Sequence, residues 1–108
     1  MNTTSATYRK YLPYTDFTTH IHTVSLRVSE IFAGTDSGVV TVTTSAGLIS
    51  NFNGVLIAAN STPGTEVSPG SPADNFDLTG GAFRYIDFTT NKPTSGGQIV
   101  AVVAYTWQ

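Results

Sequence analysis

Cysteine is absent from the 108-residue chain, which excludes disulfides, a thiolate nucleophile and thiolate metal sites. Charge is nearly as scarce. Five Lys and Arg stand against seven Asp and Glu, and charged residues make up 11% of the chain, under half of the roughly 25% usual for a soluble domain. Coiled coils and helical bundles need a charged solvent face, so both are excluded. With five basic residues there is no stripe to neutralise phosphates, and the electrostatic footprint of a nucleic-acid binder is missing. Long apolar runs are missing too: Ile99 to Tyr105, the longest, has seven residues, far short of a membrane helix. The stretch from Met1 to Lys10 holds no apolar core of the signal-peptide kind, so a soluble chain is expected.

Catalytic signatures are equally lacking. There is no Gly-x-Ser-x-Gly elbow, no Gly-x-x-x-x-Gly-Lys phosphate loop and no His-Glu-x-x-His helix, the patterns that carry a nucleophile, a phosphate cradle or a zinc pair. None of the carboxylates stands in a context that suggests glycoside chemistry. The expectation is a protein that is not an enzyme and carries no cofactor.

Threonine and serine take the place of charge, filling 28 positions. Hydrophobic residues make up 40% of the chain, enough for one packed domain of this length. From His20 onward the pattern has period two. Val24, Leu26 and Val28 alternate with Ser25, Arg27 and Ser29, the mark of a half-buried strand. Val39 to Thr44 alternates again after the turn formers Gly34 to Gly38, so the two runs read as a hairpin. Val55 to Ala59 reads as a short buried strand, and Ala82 to Thr89 as a strand opened by Gly80-Gly81. Three of five prolines lie between 63 and 72, which excludes a central strand there and marks a long surface loop, read equally as a contact surface or a plain connection.

The last strand, Gln98 to Gln108, is apolar on both faces: Ile99, Ala101, Val103, Tyr105 and Trp107 on one, Val100, Val102 and Ala104 on the other. No amphipathic helix is present to cover the second face, which leaves the arm, the long loop or a neighbouring subunit. A homo-oligomer with Val100, Val102 and Trp107 at the interface is expected. Residues 1–19 read as an N-terminal arm or edge strand ahead of a single domain over 20–108. Tyr8, Arg9, Tyr11 and Tyr14 either pack on the core or dock on a partner, since Tyr and Arg combine contact area with hydrogen bonding.

One constellation carries metal potential. His20-Ile-His22 places both imidazoles on one strand face, about 7 Å apart, short of a full ligand set unless symmetry copies complete it. The alternative is a pair of ordinary core or solvent-facing histidines. Asp74 and Asp77 flank Asn75-Phe76, where turn capping is the competing reading. No metal is assigned. Tyr85, Tyr105 and Trp107 recur at strand spacing, as either a sugar platform or core aromatics.

The stretch Asn75-Phe-Asp-Leu-Thr-Gly-Gly-Ala-Phe-Arg-Tyr-Ile-Asp-Phe-Thr-Thr-Asn-Lys-Pro93, continued by Gln98-Ile-Val-Ala-Val-Val-Ala-Tyr-Thr-Trp-Gln108, resembles small tailed-phage virion proteins of the capsid decoration (cement) type. The resemblance implies a β-rich, non-catalytic trimer on the capsid surface of the virion, bracing the major capsid protein, often through an N-terminal arm. The expectation is therefore an all-β, antiparallel sandwich or jelly-roll-like domain of six to eight strands. Its function would be capsid stabilisation, with Tyr8, Arg9, Tyr11 and Tyr14 as capsid contacts and no nucleic-acid or membrane partner. A tail fibre or spike-associated module that binds host glycan, or a metal through His20 and His22, is the alternative.

Overall fold

The computed structural model describes residues 1, 6–32, 37–49, 51–66, 76–91 and 96–107, and among them there are eight strands and no helix. In chain order they are β1 (Ala6–Tyr11), β2 (Thr19–Glu30), β3 (Gly38–Thr44), β4 (Gly47–Leu48), β5 (Val55–Ile57), β6 (Phe76–Leu78), β7 (Tyr85–Asn91) and β8 (Gln98–Trp107). One sheet has the order β1-β7-β3-β4, with β5 also on β3; the other has the order β6-β2-β8. Every strand pairing is antiparallel. The protein is an all-β domain built as a small β-sandwich.

The alternation read from the sequence is what fills the core. Val40, Val42 and Thr44 of β3 are buried while Val39, Thr41 and Thr43 are half-exposed. On β2 the inward residues are Thr19, Ile21, Val24, Leu26 and Val28. That series skips a beat after Ile21, and the pairing register shifts there, between Ile21 and Thr23. His22 is the extra residue of a β-bulge, which resets the apolar face toward the core. Phe32, Ile49, Phe52, Ile57 and Leu78, from short strands and loops, join Ile86 of β7 and Ile99 of β8 in the fully buried set.

The expected hairpin between the second and third runs is not formed. β2 pairs with β6 and β8, and β3 with β4, β5 and β7, so the two lie in opposite sheets. Each has one apolar face. Paired side by side they would leave both faces bare, whereas opposed across the core they bury each other. Two further expectations are corrected. Val55 to Ala59 yields only the three-residue β5, with Leu56 exposed and Ile57 buried, rather than a strand buried on both faces. The strand placed at Ala82 starts instead at Tyr85, because Phe83 takes a left-handed backbone (φ 58°) that no strand accommodates. Residues 34–36, Pro69, Pro72, Asp74 and residues 92–95 lie outside the described residues. The described part of the proline-rich loop lies against β2, where the Val28 N–H donates to Thr65 O at 2.9 Å and the Gly64 N–H to Val28 O at 2.8 Å.

One glycine is fixed by close approach. A Cβ on Gly80 would sit 2.5 Å from Asp16 O and 2.8 Å from Phe17 O, both backbone atoms that cannot swing aside. Gly80→Ala should therefore destabilise the fold by about 1–3 kcal/mol. Urea denaturation checks this, with an unchanged midpoint counting against the contact.

Candidate functional site

β8 is the outermost strand of its sheet, hydrogen-bonded to β2 on one side. Its inward series, Ile99, Ala101, Val103 and Tyr105, is buried or half-buried, while Val100, Val102 and Ala104 stand exposed on the outer face. Among the described residues nothing covers that outer face. Trp107 belongs to the inward series and lies beside Tyr105, with ring centroids 6.1 Å apart. The three residues expected at an oligomer interface thus divide between two faces: Val100 and Val102 point out, and Trp107 does not share their side.

The sandwich is also open along one flank. β1 edges one sheet and β8 the other, and between them runs a groove of about 760 Å³, within the ~300–1,000 Å³ of typical ligand sites. Its floor is Ile86 and Phe88 of β7, and its walls include Tyr8, Lys10 and Leu12 on one side and Ala101, Val103 and Tyr105 on the other. Lys10 is placed there by register. It is paired with buried Ile86, as Tyr8 is with Phe88, so it shares the inward phase of β1. It makes no hydrogen bond or ion pair with any described residue.

Arg9, one position away, points to the opposite face and is fully engaged. Its Nε and Nη2 donate to Asp87 Oδ1 and Oδ2 at 2.8 and 2.9 Å. The guanidinium carbon lies 3.7 Å from the centroid of the Tyr85 ring. The hydrogen bonds from Arg9 hold the Asp87 carboxyl below its ordinary value, against an opposing push from burial. Of the four residues expected to contact a partner, Tyr8 packs against the core and Arg9 is tied to Asp87, while Tyr11 and Tyr14 are exposed. Tyr14 donates to Asp16 Oδ1 at 2.6 Å, which raises its phenol pKa.

The end of the sandwich where β1 stops and β7 starts is closed by Arg84. The side chain is buried, and no carboxylate among the described residues pairs with it. Its Nε donates to Gly81 O at 3.2 Å, Nη2 to Pro13 O at 2.7 Å, and Nη1 to Thr19 Oγ1. Three neutral oxygens from two loops and β2 therefore satisfy the guanidinium fork. Turning Arg84 inward throws Phe83 outward. Phe83 is 86% exposed, with Tyr14 at 66% and Phe17 at 61% in the neighbouring loop. In the sequence Phe17 reads as one more aromatic of the arm and Phe83 as a face of the strand from Ala82, and neither stands out as a contact residue. A left-handed Phe leaves no local sequence signal, since Asn or Gly would be the usual occupant.

His20 and His22 lie on the outer face of the β6-β2-β8 sheet, each with a neighbour on a flanking strand. His20 Nδ1 is hydrogen-bonded to Asp77 Oδ1 at 2.5 Å and His22 Nε2 to Thr106 Oγ1 at 2.7 Å. Among the described residues no three His, Cys, Asp or Glu side chains gather as a metal site would require. Asp77 is spent on His20, and Asp74 lies outside the described residues. The three candidate platform aromatics do not form one surface: Tyr85 lies under Arg9, and Tyr105 faces the groove. Comparison with known proteins gives no further guide, for no family model, no curated protein and no solved structure matches the chain.

Two predictions follow from the geometry. Phe83→Gly relieves the left-handed strain and should raise the unfolding free energy by about 1 kcal/mol, read by urea denaturation; a loss would show that the ring packs. Asp87 has a folded pKa below the unfolded one, so its stabilisation is full above the unfolded value near 3.8. It fades as pH falls through the lower folded value. Thermal melts of Asp87→Asn should lose that part of the acid dependence, and identical profiles for both proteins would refute it.

Proposed function

We propose that the protein is a structural virion protein of the capsid decoration type, self-associating through the outer face of β8 and gripping the capsid shell with its aromatic loop end. The observation that carries the reading is β8 itself. Val100, Val102 and Ala104 form an exposed apolar row on a strand with no charged residue between Gln98 and Trp107. Exposed, uncharged, hydrophobic edge strands are ordinarily guarded by lysine, proline or a bulge, and β8 has none of these. Burial in an assembly is the economical reason to retain such a strand.

The shell-facing residues under this reading are Tyr11 and Tyr14, joined by Phe17 and Phe83. Tyr8 and Arg9 serve instead to hold β1 on β7. Removing residues 2–14 is accordingly a poor probe of binding, because it strips β1 from the sheet and uncovers Phe88. The virion location, the trimeric state and the major capsid protein as partner rest on the resemblance of the last third of the chain to decoration proteins.

Size exclusion with light scattering should give a trimer, and Val102→Lys should shift it to monomer while leaving the circular dichroism of the β-fold unchanged. Cosedimentation with phage shells should be lost in the double variant Tyr14→Ser, Phe83→Ser. A wild-type protein that stays monomeric at all concentrations and does not sediment with shells overturns the proposal.

A further inference from the structure

Among the described residues the outer face of β8 is one uncovered surface, and its hydrogen-bonding edge beyond Ile99 is another. Ile99 shows which way the edge groups point. Its N–H donates to Met1 O at 2.9 Å, and the Met1 nitrogen donates back to Ile99 O. A residue pair that exchanges both bonds is an antiparallel rung, so the edge already accepts antiparallel pairing at its first position. β8 carries no register break of its own along β2, and backbone groups alternate sides along a strand. The N–H and C=O groups of Ala101, Val103 and Tyr105 therefore point the same way as those of Ile99, into the flank where no described strand pairs with them. Their side chains line the groove.

We infer that the groove between β1 and β8 is a strand-addition site for an extended segment of another protein, with apolar residues at alternate positions and a carboxylate that meets Lys10. Three features select this occupant. A row of backbone donors and acceptors along an apolar wall is satisfied by polypeptide, whereas a hydrocarbon ligand would bury those groups unpaired. The inward spacing of Ala101, Val103 and Tyr105 matches the two-residue period of an added strand. Lys10 is exposed on the β1 side of the groove and has no ionic partner among the described residues, so the complementary segment carries negative charge. A second copy's β8 is uncharged and offers Lys10 nothing. The inference deepens the assembly reading and rests on it for its biological setting, but the edge and the outer face are separate surfaces and are tested separately.

The probes are two capped ten-residue peptides of alternating valine and threonine, one with a glutamate and one with a lysine at the same central threonine position. Titration is followed by calorimetry and by amide hydrogen exchange of the full-length protein. The acidic peptide should bind more tightly and slow exchange at Ala101, Val103 and Tyr105. Lys10→Glu should reverse the preference, with a change of roughly fivefold for each peptide, the size expected of a partly exposed pair. Val103→Pro removes an outward N–H without touching the β2 pairing and should abolish binding, while circular dichroism and oligomeric mass stay as in the wild type. Equal binding of both peptides, or none, overturns the inference even where the trimer is intact. Slow exchange of these amides in the free protein that depends on its own concentration also overturns it, because a second copy then occupies the edge. Peptide binding by a protein that proves monomeric supports the groove while the oligomer proposal fails.

Discussion

A buried guanidinium holds this sandwich closed at one end. Arg84 has no acidic partner among the described residues; it is satisfied by Pro13 O, Thr19 Oγ1 and Gly81 O. Each acceptor belongs to a segment that must stay where it is. Pro13 follows β1, Thr19 opens β2, and Gly81 bridges to Thr15. The Leu12 N–H, donated to Arg84 O at 2.8 Å, adds a backbone tie to the same residue. Losing any one oxygen would leave part of a buried cation unsolvated, which costs more than an ordinary hydrogen bond contributes. Both sheets are thus fastened to a single side chain, and the tight passage of Gly80 past Asp16 and the displayed Phe83 lie beside it in sequence.

The opposite situation holds along the flank. There, among the described residues, β1 and β8 face one another without a connecting strand, and the two edges are finished differently. β1 carries Arg9 and Lys10 and is followed by Pro13, devices that discourage indiscriminate pairing. β8 carries isoleucine, valine, alanine and aromatics only, apart from Gln98 and Thr106. One edge is guarded and one is offered. The division of polar and apolar character across a single opening gives it direction: a segment entering it has one wall to pair with and one cation to meet.

Much of this could be read from the sequence, and the reasons differ by residue. Val40 and Val42, and Ile99 to Tyr105, declare their faces by simple alternation, which is why the all-β architecture was accessible. The three-residue step from Ile21 to Val24 even contained the β2 bulge, for anyone who asked why the period broke. Strand partners were not legible, because pairing is decided by which apolar faces can oppose each other across a core and not by neighbourhood in the chain. Nothing in the sequence separates Lys10 from its neighbour Arg9, and only its register against Ile86 puts it on the groove side of β1. Phe83 looked like a strand residue, since nothing local reveals that the next side chain will be claimed by oxygens from residues 13, 19 and 81.

The wiring of the strands also sets a timetable. β1 finds its partner in β7 and β2 finds its long partner in β8, and the rung between Met1 and Ile99 spans 98 positions. Contacts so distant in sequence make folding slow. On the ribosome they also make it late, because β1 and β2 lie within the first thirty residues while their partners β7 and β8 begin only at Tyr85 and Gln98, several seconds on at about 5–20 residues per second. The scarcity of charge that suits a packed surface also leaves the nascent chain with few gatekeepers against its neighbours.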